Sequence, residues 1–346
     1  MHNAITDVAG ILVGHHQRTG DGWATGTTVV IAPDGSTGAV DGRGGAPGTR
    51  ETDLLLPENL VSQVDAVCLS GGSAYGLAAA DGVLRWLAEH ERGFRVGAQP
   101  HEVVPIVPGA VLFDLPRGDW GNRPDAEFGY QACAAATDGP VPQGSVGAGT
   151  GAKVGSLKGG LGTASATVGE FTVGALAAVN AAGEAVDHAT GRPWAADHEV
   201  AAEFGVTWPD RRAEPAELSD PPGSVVRGGQ RPDLNTTIGV VAVDADLSKA
   251  ECRRIAVAAQ DGLARAIRPA HTMFDGDTVF VVATRAKPLT TADAPFGQVA
   301  RAAALDRLCA AAAEVFARAL VHGLLSATPL AGLPAYRDAW PGVIAP

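Results

Sequence analysis

The stretch Asp233-Leu234-Asn235-Thr236-Thr237-Ile238-Gly239 divides the chain. Upstream, residues 205–233 are rich in Pro, Arg, Asp and Glu and lack apolar periodicity, the composition of a mobile surface linker. Downstream, Ile238-Gly239-Val240-Val241-Ala242-Val243 is a short apolar run that reads as a buried strand. A hydroxyl residue preceded by Asn stands at the junction. This is the layout of a chain that cuts itself and then uses the new N-terminal Thr as a nucleophile. A Thr hydroxyl is a weak nucleophile unless a base takes its proton. A free α-amine has an ordinary pKa of roughly 7.7–8.0 and is such a base near neutral pH. It is freed only when the bond before Thr236 is broken. The hydroxyl can break that bond itself, by attacking the Asn235 carbonyl in an N-to-O acyl shift followed by hydrolysis. Taken alone the signal is weak, because Asn-Thr is a common dipeptide where strands begin.

Composition narrows the alternatives. The chain has 346 residues, 46% hydrophobic and 18% charged, ample for a sizeable core. Aromatics make up 5% and there are 45 glycines, so the core has to be built from Ala, Val and Leu with close backbone approaches. A net charge of −12 opposes binding to nucleic acid or to an anionic membrane. No basic-then-apolar secretory pattern opens the sequence, and no apolar run reaches the ~20 residues of a membrane span. Cys68, Cys133, Cys252 and Cys309 are scattered without paired spacing, which fits core filler in a reducing, cytoplasmic setting.

Taken in order, the apolar runs at 11–14, 27–31 and 66–70 read as strands. The last enters Gly71-Gly72-Ser73-Ala74-Tyr75-Gly76 and then a helix with Leu77, Val83, Leu84 and Leu87 on one face. Such a junction exposes backbone N–H groups that suit an anion or oxyanion. Ser73 fits a helix N-cap better than a nucleophile, since Tyr75 breaks the G-x-S-x-G pattern. The Gly-rich segment 38–53 reads as tight turns or, alternatively, as backbone lining a site. Residues 103–114 read as a strand bent at Pro105 and Pro108, and 131–137 as a helix. Val146-Gly147-Ala148-Gly149-Thr150-Gly151-Ala152-Lys153 matches the dinucleotide fingerprint but lacks the flanking strand and helix, so it is a Gly-rich loop or bulged strand. A hairpin spans 163–180 around Gly169-Glu170. Ser248 and Glu251 form a capping box for a helix that stops at Pro269, an Ala-rich helix covers 297–322, and the Pro-containing end reads as a tail. Hairpins and separated helices imply α+β layers rather than a regular parallel sheet.

Asp275-Gly276-Asp277 is the second chemical candidate. Two carboxylates two residues apart on an extended segment face the same way and could hold Thr236 or its ammonium. A DG turn or a solvated acidic corner is the alternative. No HExxH, paired CxxC or calcium loop is present, so neither metal nor cofactor is expected.

Together, ITDVAGILVGH, RGGAPGTRETDLL, LSGGSAYGL, GAGTGAKVGSLKGGLGTAS, NTTIGVVAVD and HTMFDGDTVF resemble the DmpA-type aminopeptidases, peptidase family S58. That family includes the L-aminopeptidase/D-esterases, the β-peptidyl aminopeptidases and the nylon-oligomer hydrolases. The Asn-Thr and Asp-Gly-Asp motifs are closest to the last of these. The resemblance implies a four-layer αββα sandwich shared with ornithine acetyltransferase and related to the N-terminal-nucleophile hydrolases. It implies a cut between Asn235 and Thr236, giving a large segment 1–235 and a small one 236–346 within one self-processing domain. It further implies Thr236 as nucleophile, Tyr75 and Asn180 as oxyanion donors, Asp275 and Asp277 as the acidic pair, and a tetramer of processed protomers. One departure stands out. Several relatives carry a Lys just after the GAGTG segment, where Ser156 stands here, and Lys153 and Lys158 are the nearest substitutes. The expected activity is hydrolysis of short peptides or amides with a free amino end. Acyl transfer of the ornithine acetyltransferase type and endo-hydrolysis of amide oligomers are the alternatives.

Overall fold

The computed structural model describes residues 1–208, 234–289 and 296–343. Most of the expected linker, 209–233, lies outside the described residues. Its first residues pack: Val206 and Trp208 lie against the hydrophobic core.

Two five-stranded sheets are built from the runs of apolar residues. The first has the order Leu12–Gly20, Trp23–Ile31, Ala66–Ser70, Gly109–Val111, Thr49–Arg50. Its opening hairpin pairs Gly20 with Trp23 around Asp21 and Gly22, both at positive φ, as a two-residue turn matched to strand twist requires. The second sheet has the order Leu161–Val168, Phe171–Ala178, Ile238–Asp246, Thr278–Pro288, Thr37–Gly42. Within it, Ile238–Asp246 and Thr278–Pro288 run parallel, and the helix between them, α1 (Lys249–Ala266), makes the crossover a parallel pair needs. Ser248 and Glu251 close the expected capping box at its start.

The parallel pair is buried on both faces. Val240, Ala242, Phe280 and Val282 meet Val30, Leu69, Ala110 and Leu112 of the first sheet. Val241, Val243, Val279 and Val281 turn the other way, into a core shared with Ile255 and Leu263 of α1 and with Phe316 and Leu320 of α2 (Gly297–Leu325). The two helices approach so closely that a Cβ on Gly262 would lie 2.2 Å from the Ala313 carbonyl oxygen. On the far side of the first sheet, Val29, Ile31 and Cys68 pack with Val83 and Leu87 of the Ala79–Glu89 helix and with Ala132 of the Ala126–Ala134 helix. The layers are therefore helix, sheet, sheet, helix, as expected.

Local readings at the edges are corrected. The run 103–114 forms two short strands, Val103–Val104 and Gly109–Val111, because proline interrupts the ladder. The helix placed at 131–137 begins earlier, at Ala126, where Asp125 caps it. Ser73 is the first residue of a 3-10 turn, and Gly72 occupies the cap. The C-terminal end is no tail: Tyr336 and Trp340 are buried, and Tyr336 Oη donates to the Gly191 carbonyl at 2.6 Å.

Replacing Phe316 by Ala removes a fully buried ring between α2 and the second sheet. It should cost about 3–5 kcal/mol in urea unfolding. Glu203 supplies a pH test, since it accepts from Arg318 and from His322 Nε2. Burial raises its carboxyl, but the His322 and Arg318 hydrogen bonds outweigh burial and hold it far below the usual range. A depressed folded pKa stabilises above the unfolded value and loses that stabilisation as pH falls. The urea midpoint should therefore drop on acidification below the ordinary carboxyl value of 4.5, and Glu203→Gln should flatten that drop.

Candidate active site

The parallel register that pairs Ile238 with Thr278 runs backwards, past the strand end, to a bridge between Asn235 and Asp275. The Asn235 N–H donates to the Phe274 carbonyl at 2.9 Å. The Gly276 N–H donates to the Asn235 carbonyl at 3.2 Å, and the Thr278 N–H to the Thr237 carbonyl at 3.0 Å. The Asn235–Thr236 peptide is thus held inside the ladder rather than in a loop. On its other side the Thr236 N–H donates to the Asn180 carbonyl at 2.7 Å. The Thr236 hydroxyl, Oγ1, is in hydrogen-bond contact with the Asn235 carbonyl oxygen. Asn235, Thr236 and Thr237 are all buried.

A cavity of about 120 Å³ opens beside this peptide, lined by Asn235, Thr236, Phe274, Val111, Phe113 and the backbone at 46–48, among others. Residues 46–48 of the Gly-rich segment 38–53 are part of that lining. The Gly45 and Ala46 N–H groups donate to the Thr272 and Asp275 carbonyls at 3.0 and 2.9 Å.

Asn180 and the acidic pair surround Thr236. Asn180 Oδ1 accepts from the Lys153 N–H at 2.9 Å, which leaves its buried Nδ2 donor without a partner. An unused buried donor costs stability, roughly 1–3 kcal/mol, and a developing negative charge would satisfy it. Asp275 Oδ1 accepts from the Ala182 N–H at 2.9 Å, and Oδ2 from the Thr272 N–H at 3.0 Å. Asp277 Oδ1 accepts from the Thr237 N–H at 2.9 Å, and Oδ2 from His271 Nδ1 at 2.8 Å. The Asp277 carboxylate therefore holds the residue after Thr236, while the Asp275 carboxylate ties the segment at Ala182 to the turn at Thr272. Burial raises the Asp277 carboxyl, the His271 hydrogen bond lowers it, and the Asp275 charge raises it again, for a net upward shift.

Tyr75 is placed differently. Its neighbours Ser73 and Ala74 line the cavity, while Tyr75 is 53% exposed with its ring under the Arg123 guanidinium, 3.8 Å from the centroid. The turn that carries it is anchored by buried Asp114, which accepts from the Gly72 N–H at 2.7 Å and from Thr25 Oγ1 at 2.6 Å. A Cβ on Gly71 would sit 2.1 Å from that carboxylate, so the close approach requires glycine there. Burial pushes the Asp114 carboxyl up to about 6 against these hydrogen bonds.

The lysine candidates separate. Lys158 is fully buried, and its Nζ donates to the carbonyls of Gly149 and Gly159 at 2.9 and 2.6 Å. Burial lowers its ammonium to about 7, opposed by the Asp114 charge. The Lys153 backbone is tied to the Asn180 segment, since its N–H donates to Asn180 Oδ1 and its carbonyl accepts from Ala181 at 3.0 Å. Ser156 donates its N–H to Glu184 Oε1 at 2.7 Å. Among the described residues, no group of three or more His, Cys, Asp or Glu side chains is placed to hold a metal ion.

The model of peptidase family S58 matches residues 3–336. This chain belongs to that family. An aminopeptidase of Mycobacterium tuberculosis, described as uncharacterized, is 57% identical over 350 residues and 98% of each chain. A 6-aminohexanoate-oligomer endohydrolase of Paenarthrobacter ureafaciens is 32% identical over 294 residues, 80% of this chain and 74% of that one. Among solved structures, a Burkholderia sp. β-aminopeptidase superposes with a TM-score of 0.68 at 26% identity, covering 97% of this chain and 91% of its own. An L-aminopeptidase D-Ala-esterase/amidase from Ochrobactrum anthropi, described as a variant of the Ntn-hydrolase fold, has a TM-score of 0.66 at 21% identity, covering 99% and 90%. The chain is a family S58 hydrolase with an Ntn-type sandwich.

Sequence reasoning passed over two members of this cluster. His271 was present in HTMFDGDTVF without a role, and the Gly276 amide was hidden because a backbone donor has no side-chain signature. Gly276 also has no room for a side chain, since a Cβ would lie 2.4 Å from the Ala46 carbonyl oxygen. Gly276→Ala should therefore displace the 274–276 segment. A lowered Tm, read by calorimetry, is the expected outcome.

Proposed function

We propose that this family S58 hydrolase is a self-processing aminopeptidase whose nucleophile is Thr236. The observation that carries the reading is the contact of Thr236 Oγ1 with the carbonyl of the preceding residue, beside a cavity. In the first cut, Oγ1 bonds to the Asn235 carbonyl carbon, the C–N bond breaks, and the hydroxyl proton passes to the leaving Thr236 nitrogen. Water then hydrolyses the ester, giving segments 1–235 and 236–346. In turnover the freed α-amine takes the Oγ1 proton, a substrate amide is attacked, and the acyl-enzyme is hydrolysed.

The proposed roles of the neighbours follow from their bonding. The unpartnered Nδ2 of Asn180 would meet the oxyanion. Asp277 holds the Thr237 N–H and Asp275 the Ala182 N–H, and this acidic pair is the proposed partner of the ammonium that the cut creates. Tyr75 is the proposed second donor and sits on the turn next to the cavity lining. Lys153, whose N–H holds Asn180, and Lys158, whose ammonium donates to two carbonyls, are the two candidates to assist the cut. The reading keeps the processed chain cytoplasmic and oligomeric.

Mass spectrometry of the purified protein tests cut position and nucleophile together, with fragments ending at Asn235 and beginning at Thr236 expected. Thr236→Ala should remain one chain and be inactive towards amino-acid p-nitroanilides; a cleaved variant would move the cut elsewhere. Asn180→Ala should lower kcat by roughly 10²–10³, the usual loss on removing one oxyanion donor. Acetyl transfer from acetylornithine to glutamate without amide hydrolysis would replace this reading with an acyltransferase.

A further inference from the structure

Resting on the reading above, we infer that the Phe274 carbonyl and the Gly276 amide form a backbone subsite that selects α-aminoacyl substrates. Before the cut, these two groups clasp one residue, Asn235, by its N–H at 2.9 Å and its carbonyl at 3.2 Å. Asn235 is the acyl residue of the first reaction. The ester it forms with Thr236 Oγ1 has the same connectivity as the acyl-enzyme formed from a substrate. Hydrolysis of that ester ends the covalent tie between Asn235 and Thr236, and departure of Asn235 then leaves an acceptor at Phe274 and a donor at Gly276. They are the spacing of one α-residue apart, since they belong to a parallel ladder in register.

The chemistry that fits is an N-terminal α-amino acid in amide linkage. Its carbonyl oxygen takes the Gly276 N–H, so this amide is a third oxyanion donor beside those proposed above. Its ammonium donates to the Phe274 carbonyl in a charge-assisted hydrogen bond, stronger than the neutral one Asn235 makes. A β-aminoacyl group inserts one methylene between the two contacts, a bond of about 1.5 Å, and a 6-aminohexanoyl group inserts four more bonds' length than an α-residue. A hydrogen bond tolerates only about 2.7–3.2 Å between heavy atoms. Either homologue, once its carbonyl is seated at Gly276, misplaces its ammonium at Phe274. An acyl group with no amine forfeits the contact altogether. By this device the chain separates itself from the substrates for which two of its relatives are named.

The test uses the processed protein and four p-nitroanilides: L-alanyl, β-alanyl, 6-aminohexanoyl and propionyl. The expected result is a kcat/KM for L-alanyl at least tenfold above each of the others. Hydrolysis of the β-alanyl or 6-aminohexanoyl compound within threefold of L-alanyl, or faster, overturns the subsite. If the chain is cut before Thr236 yet hydrolyses none of the four, the hydrolase reading fails and binding decides the subsite. A larger rise in Tm with L-alaninamide than with β-alaninamide then upholds it, and equal or reversed shifts overturn it. A chain that stays uncut keeps Asn235 in the clasp and overturns both readings.

Discussion

The parallel pairing of Ile238–Asp246 with Thr278–Pro288 is the constraint on which the rest depends. Parallel strands cannot be joined by a tight turn, so α1 must cross over one face, and that face must be apolar to receive it. The opposite face must then be covered as well, which the first sheet does. Both faces being closed, the ladder is rigid, and its register is carried beyond the last strand residue to Asn235 and Asp275. The peptide before Thr236 is held by the same hydrogen-bonding pattern that holds the core.

This placement has a chemical consequence. A peptide in a mobile loop samples many geometries, whereas here the hydroxyl, the carbonyl it faces and the amide bonded to that carbonyl belong to one ladder. Orientation of this kind removes entropy from a reaction in advance. The polar groups nearby are spent largely on backbone, with the His271 ring on Asp277 as an exception. Asp275 and Asp277 each join two segments, and Asn180 is pinned by its oxygen so that its nitrogen is left over. A buried donor with unfilled hydrogen-bond capacity is costly, and its position beside Thr236 fits a region shaped for reaction more than for stability.

Glycine makes the close approaches. Gly71 admits the Asp114 carboxylate beneath the Tyr75 turn, Gly276 lets the acidic segment run against Ala46, and Gly262 lets the two outer helices touch. A core with few aromatics reaches its density this way, by bringing backbones together instead of filling the space with rings.

The sequence by itself determined the alternation of apolar runs, the hairpin at Gly169-Glu170, the Ser248 cap and the strand that follows Thr237, because these follow from local periodicity and turn chemistry. Its resemblance to a family also marked Asn180, Asp275 and Asp277 as neighbours of Thr236, which the fold brings together. It misjudged the C-terminal end, since Pro-rich composition does not reveal that Tyr336 and Trp340 find a groove elsewhere in the chain. It was silent on His271, on the buried state of Lys158 and on the Gly276 amide. Only the tertiary structure decided these, because which oxygen a ring nitrogen meets, whether an ammonium loses its water, and where a backbone donor points all depend on segments far apart in sequence being folded against one another.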